Sequence, residues 1–462
     1  MKKSTLFLAL IFFVSALFAQ QSFNRGMNFD DKTYKKVPMK APLTRSLYGS
    51  SLPASASLKK WAPIPKTQGS FGTCTAWSST YCARTIVESI KNNWTDKTTI
   101  TDNAFAPGFV YNLSKLSGDI NCSSGTYINN ALDIIKTKGV PKYSEFQESC
   151  PASISSEFYD KASSFKIKDY AKIFDTDDGV NFKIQAAKKS LSENKPVVIG
   201  MKCPASFENA KDCWIPTEDF NQSFGGHAMC VVGYDDSQYG GAFEIQNSWG
   251  TWWGNEGYIW IKYTDFANWV KYAYELIEDF NTPINTIYDL SGKVRFMLSN
   301  NTEMAASLQG QKYRMNKTYK SGTHFRMYIS NDQPAFVYAI GSDLTSAIYS
   351  VFPYADNISP VLNYIKNEVA LPDEDHWVEM DDKLGTDILC VLFCKDMIDF
   401  KGIQKALEKE TGTFQERISK VIGSDLIDNS NITYLSDNQI GFKAKSQGKK
   451  IVALLVETIH VN

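Results

Sequence analysis

The sequence predicts an α+β protein in which a helical segment is followed by a strand-rich one within about 230 residues, with a second, mainly β domain closing the chain. Three observations predict this. Apolar residues recur at helical spacing three times between 74 and 193. Short β-rich runs separated by Gly, Asp and Asn follow from 197 to 261. Alternating apolar runs resume after 322.

Taken in order, residues 20–52 are polar, basic and punctuated by Pro38 and Pro42, and read as an extended leader. From Gln68 a Gly-punctuated turn runs into Cys74. Ala83, Ile86, Val87 and Ile90 then recur at helical spacing until Asn92 and Asn93, so Cys74 belongs near a helix N-terminus. A second helix carries Ile128, Ala131, Leu132 and Ile135 on one face and stops at Gly139. A third spans roughly 180–193 through Val180, Ile184, Ala187 and Leu191. Strands are predicted at Val197–Ile199, Ala228–Val232, Phe243–Ile245 and Tyr258–Ile261. A cleft between the helical and β-rich halves is a natural place for a site.

Thr282, Pro283 and Asn285 mark a boundary, and 281–321 reads as a linker. Beyond it come alternating runs at Phe325–Ile329 and Ala335–Ala339, a charged helical stretch over Phe400–Ile422 and a final strand at Ile451–Val456. The expected division is therefore 1–19, 20–52, 53–280, 281–321 and 322–462. The first segment has the marks of a secretory signal peptide. Lys2 and Lys3 precede an apolar run from Leu6 to Phe18, too short to span a bilayer, and Ala19 offers a small residue for cleavage. This places the mature protein outside the cytoplasm, secreted or periplasmic, with no transmembrane segment.

The net charge of −1 excludes a nucleic-acid footprint, which needs a clustered basic excess. Nine cysteines leave an odd one, the mark of a free thiol in an exported protein. Cys122 with Cys150 and Cys203 with Cys213 flank loop-like sequence, and each pair could close a disulfide. Cys82 and Cys230 lie in apolar segments and read as inert core residues. Cys390 and Cys394 share one predicted strand, which separates them by about 13 Å, too far to bridge.

Chemistry concentrates in three segments. In Gln68-Gly-Ser-Phe-Gly-Thr-Cys74 the thiol stands at a helix start, where the helix dipole favours thiolate. The glycines let backbone approach a bound peptide, and the Gln68 amide can join the Cys74 N–H as a second oxyanion donor. His227, at the head of a predicted strand, is the sole histidine before residue 300. In Asn247-Ser-Trp249 an amide oxygen can orient that imidazole while the indole excludes water from the contact.

In the order Cys, His, Asn these segments resemble the papain family of cysteine peptidases, over roughly residues 53–280. The resemblance implies a two-lobed fold with one helical and one β-rich lobe. It assigns catalytic roles to Gln68, Cys74, His227 and Asn247, and shielding of the asparagine to Trp249. Gly125 resembles the backbone that pairs with extended substrate, and Ala228 a wall of the pocket for the second side chain upstream of the scissile bond. No cofactor or metal is implied, and the substrate is a peptide or protein, with endopeptidase action favoured.

There are departures. Phe71 stands where the family usually has a cysteine, which leaves Cys122 to pair with Cys150, and Thr75 replaces a tryptophan. The leader is too short for the usual helical inhibitory prodomain, so latency needs another explanation. The loop from Cys203 to Gly226, with Trp214, could shape one end of the cleft and favour exopeptidase action. A catalytically silent fold used for binding is the rival from another class. The C-terminal domain resembles a bacterial domain family of unknown function found beside caspase-like peptidases and kinases, and its partner is unknown. His324, His376 and His460 there are too scattered to suggest a metal site.

Overall fold

In the computed structural model the described residues are 24–462, apart from 49–51, 148–149, 279–286, 344–346, 365 and 437. The expected signal peptide lies outside them. The helix that starts at Cys74 is α-helical at Cys74–Ala76, widens to π-helix over Trp77–Arg84, and returns to α-helix at Thr85–Lys91. Widening rotates the residues that follow. Ala83 and Ile86 of the predicted apolar face are buried, but Val87 and Ile90 are only half-buried, and Arg84, Thr85, Glu88 and Ser89 turn inward. Buried Arg84 meets Glu88 at 2.9 Å, which makes that rotation tolerable.

Helix Ile128–Thr137 buries all four predicted residues. It ends at Gly139, whose φ is 82° and where a Cβ would lie 1.9 Å from the Ala162 carbonyl oxygen. Helix Val180–Ser192 buries Ile184, Ala187 and Leu191 and leaves Val180 exposed. The four predicted strands form, as Val197–Lys202, Gly226–Asp235, Ala242–Gln246 and Tyr258–Lys262. They are neighbours in one ten-stranded sheet, flanked on one side by Cys213–Trp214 and on the other by Val270–Ile277 and Asp169–Lys172.

The C-terminal region is mainly β, as expected, and stacks a six-stranded sheet on a seven-stranded one. Val294, Phe296 and Phe442 of the first meet Val337, Val391, Phe393 and Leu454 of the second in a common core. Helices Phe400–Lys409 and Phe414–Ile422 cover the outer face of the larger sheet through Leu407, Phe414 and Ile418. The charged stretch is thus two helices, broken near Gly412 with φ 111°.

The expected linker needs correction, because Leu290–Leu298, Ala306–Gln309 and Lys312–Lys320 are strands of these sheets. Val294 and Phe296 alternate with charged neighbours, a two-residue period; their strand pairs with 325–330 and with 440–444, and Lys312–Lys320 pairs with 455–461, more than a hundred residues on.

Of the two candidate disulfides, Cys122–Cys150 forms. Cys203–Cys213 does not, and both are free. The strand before Cys203 and the strand of Cys213 are four positions apart in the sheet, roughly 19 Å at ~4.8 Å per strand. Trp214 also departs from expectation: it is buried against Phe207 and Trp269 rather than placed at the end of a cleft.

The leader is far more ordered than its composition suggests. Its helix Asp31–Lys36, capped by Asp30, docks Tyr34 into the core, where the ring stacks on Tyr272 at 4.2 Å. Its two-residue strand Met39–Lys40 then runs between Asp169–Lys172 of the first domain and Ile358–Ser359 of the second. At this junction buried Lys40 contacts Glu275 at 2.7 Å and the Asn363 oxygen at 2.6 Å, while Ser190 and Tyr364 donate to the other Glu275 oxygen. Burial alone would raise the Glu275 carboxyl, but the Lys40 and Lys195 cations and the Ser190 hydrogen bond together outweigh it and hold the group below its usual range, while burial draws Lys40 itself down to about 7.

Lys40→Ala strands that carboxylate and is expected to cost about 3–5 kcal/mol at neutral pH, read from denaturant unfolding. The deficit should shrink toward about pH 4. Glu275 with its partner contributes stability above its unfolded pKa and loses it as pH falls through the lowered native one, whereas the stranded carboxyl simply takes up a proton. A deficit unchanged with pH would show that Glu275 is not its source.

Candidate active site

Cys74 is the first residue of the central helix, reached through a turn in which Gly69 has a φ of 65°. Its sulfur is buried and accepts hydrogen bonds from the Ala228 N–H at 3.4 Å and the Gly26 N–H at 3.3 Å. His227 is the second residue of its strand and pairs with Met201 across the sheet. Asn247 follows immediately on the next strand, and its Oδ1 lies 2.7 Å from His227 Nε2.

The same Oδ1 accepts from the Ser248 backbone N–H at 2.8 Å. A backbone N–H can only donate, so the oxygen faces it, and His227 Nε2 must carry the proton it shares with Asn247. The other nitrogen, Nδ1, is thereby left as the proton acceptor. It is buried and has no hydrogen-bond partner among the described residues. Trp249 stacks on the imidazole with centroids 4.6 Å apart and holds the ring plane.

Gln68 is fixed from two sides. Its Oε1 accepts from Ser248 Oγ at 2.6 Å and its backbone N–H donates to the Ser248 carbonyl at 2.8 Å. This leaves Nε2 to donate, to Phe71 O at 2.8 Å and to Asn24 O at 3.0 Å. Ser248 is a positioning residue that sequence reading missed, since a serine between Asn247 and Trp249 carries no pattern of its own.

The cleft is occupied by the leader. Met27 N–H donates to Gly226 O, Asn28 N–H to Thr126 O, and Thr126 N–H to Gly26 O, at 3.2, 3.0 and 2.9 Å. Pairing with backbone was expected at Gly125 and is made by Thr126, one residue on. Gly125 instead supplies clearance, because a Cβ there would lie 2.2 Å from Gly26 O. A Cβ on Gly26 would lie 1.9 Å from Gly72 O. The Met27 side chain is buried over Gly200, whose Cβ would meet its sulfur at 2.6 Å, and Gly200 pairs with Ala228. Arg25 forms an ion pair with Glu208, and Asn24 donates to Ser70 O.

Burial sets the electrostatics. Burial pushes the Cys74 thiol up to about 11, against the pull of the Ala228 and Gly26 amides. Burial draws His227 down to about 4, which the Asn247 hydrogen bond opposes and the Arg25 cation reinforces. Burial thus disfavours the charged form of both groups in this arrangement, opposing the pull of the helix start toward thiolate.

Residues 56–276 match the family described as papain family cysteine protease. An uncharacterized peptidase C1-like protein of Acanthamoeba polyphaga mimivirus is 27% identical over 282 residues, spanning 57% of this chain and 85% of its own length. Cysteine proteinase 3 of Entamoeba histolytica is 24% identical over 268 residues, spanning 54% and 79%. Among solved structures, xylellain, a cysteine protease from Xylella fastidiosa, covers 55% of this chain and 96% of its own at 24% identity, with a TM-score of 0.45. The bromelain protease of Ananas comosus in complex with the E64 inhibitor covers 49% and 100% at 18% identity, with a TM-score of 0.40.

Because the sulfur is buried and neutral, iodoacetamide should label Cys74 slowly in the full-length chain at pH 7. Gly26→Val cannot fit beside Gly72 and displaces the leader, so labelling should accelerate by about tenfold or more. Equal rates, located by peptide mapping, would mean that the leader does not control the thiol.

Proposed function

We propose that residues 56–276, which match the papain family cysteine protease model, form such a protease domain and that the full chain is the latent form of an exported endopeptidase held inactive by its own leader. The observation that carries this reading is a peptide backbone lying hydrogen-bonded across Cys74, with the Asn24 carbonyl on the Gln68 amide. Polypeptide continues on both sides of the sulfur, Asn24–Arg25 on one and Met27–Asn28 on the other, which supports cleavage within chains over trimming of their ends. The leader survives because the sulfur faces the Gly26 N–H, a donor, and not a carbonyl carbon.

When the leader leaves, water returns and both pKa displacements relax. The thiol proton moves to His227 Nδ1, the free acceptor, because Nε2–H is committed to Asn247. The thiolate attacks the substrate carbonyl carbon. Gln68 Nε2 and the Cys74 N–H stabilise the oxyanion, and Nδ1–H protonates the departing amine. The neutral imidazole then takes a proton from water, which hydrolyses the thioester and restores the thiol. The pH profile of the coupled pair is bell-shaped, with limits belonging to the pair. Among the described residues no helix is long and apolar enough to cross a membrane. The Cys122–Cys150 disulfide fits export to an oxidising compartment.

In the Gly26→Val background, peptide hydrolysis should exceed that of the wild-type chain and disappear on Cys74→Ala. Gln68→Ala should lower kcat/KM by about 10²- to 10³-fold, roughly 2.7–4 kcal/mol. Hydrolysis that survives Cys74→Ala would sink the assignment, and an unchanged rate in Gln68→Ala would remove that residue from the mechanism.

A further inference from the structure

We propose that Glu208 is a specificity-determining residue of the cleft, selecting substrates with a lysine or arginine side chain beside the scissile bond on the Trp249 side of Cys74. The inference rests on the peptidase reading above and adds a substrate class to it.

Glu208 is held in place by the aromatic cluster that orients the histidine. Its carbonyl accepts from Trp253 Nε1 at 2.9 Å, and the preceding Phe207 packs on Trp249 and Trp253 with centroids 5.8 and 5.2 Å apart. Trp249 in turn stacks on His227. The Glu208 carboxylate is 28% exposed, so it is partly desolvated at a fixed distance from the catalytic groups.

The leader shows what such a carboxylate accepts. Arg25 directly precedes Gly26, whose N–H rests on the Cys74 sulfur. Its stem passes Gly225, where a Cβ would come within 3.9 Å of its Cδ, and its guanidinium closes on the Glu208 carboxylate. The neighbouring Glu218 does not compete for the cation, because its oxygens are taken by Ser206 Oγ and by the N–H groups of Ser206 and Thr217. When Arg25 departs with the leader, Glu208 loses the counterion it holds beside Cys74. A partly buried carboxylate without one favours a ligand that restores it, and a charged hydrogen bond in such a place supports about tenfold discrimination.

The test uses the full-length Gly26→Val chain, with and without Glu208→Gln. Substrates are peptides identical except for arginine, norleucine or glutamate at each successive position around one scissile bond. At one position next to that bond the arginine peptide should exceed norleucine by about tenfold in kcat/KM, with the preference shrinking as salt rises. Glu208→Gln should reduce that ratio to within about twofold. A ratio near one in the parent, or a ratio untouched by Glu208→Gln, overturns the proposal and leaves the peptidase reading intact. If no peptide is cut, the peptidase reading fails instead. Glu208 is then judged by fluorescence anisotropy of the arginine and norleucine peptides on the Gly26→Val/Cys74→Ala chain, where equal affinities overturn it.

Discussion

The structure depends on backbone meeting backbone at Cys74. Gly26 lies against Gly72 and Gly125, and Gly226 against Met27, at separations that no Cβ would permit. Because these residues lack side chains, a peptide can sink deep enough to hydrogen-bond with Thr126 on one wall and Gly226 on the other. That depth puts an N–H on the Cys74 sulfur and a carbonyl on the Gln68 amide. The same absence of side chains that lets a substrate approach lets the leader occupy the cleft first.

Occupancy by a few backbone hydrogen bonds would be weak in isolation, since each contributes only about 1 kcal/mol net. The leader is secured elsewhere. Tyr34 is buried and accepts from the Ala273 N–H, Lys172 reaches the carbonyls of Tyr34 and Lys35, and Lys40 enters a buried polar junction with Glu275, Asn363 and Tyr364. Ala41 and Leu43 continue into the core of the second domain. The leader thus contributes residues to two hydrophobic cores, Tyr34 to one and Ala41 and Leu43 to the other.

Electrostatics follow from the same packing. The imidazole is orientated in advance, its Nε2–H spent on Asn247 and its ring pinned by Trp249. Burial opposes ionisation of either partner, and the two oppositions add. Orientation is set by the sheet and its aromatic cluster, whereas burial of the sulfur and the ring opposes their ionisation.

Much of this was readable from residues whose pattern is local. Helix Ile128–Thr137 declares itself through a 3.6-residue period, the histidine strand through its β-branched run, and the Cys74, His227 and Asn247 segments through residue types that the chemistry requires. Where contacts are distant in sequence, the sequence was silent or misleading. It cannot show that 290–320 joins sheets completed by 440–461, that Cys203 and Cys213 stand four strands apart, or that the π-helical turn at 77–84 rotates Arg84 inward. The sequence by itself determined which atoms can do chemistry. Only tertiary structure decided which partners they have, because leader residues 24–28 carry no periodicity and acquire their meaning from the glycine-lined slot they fill.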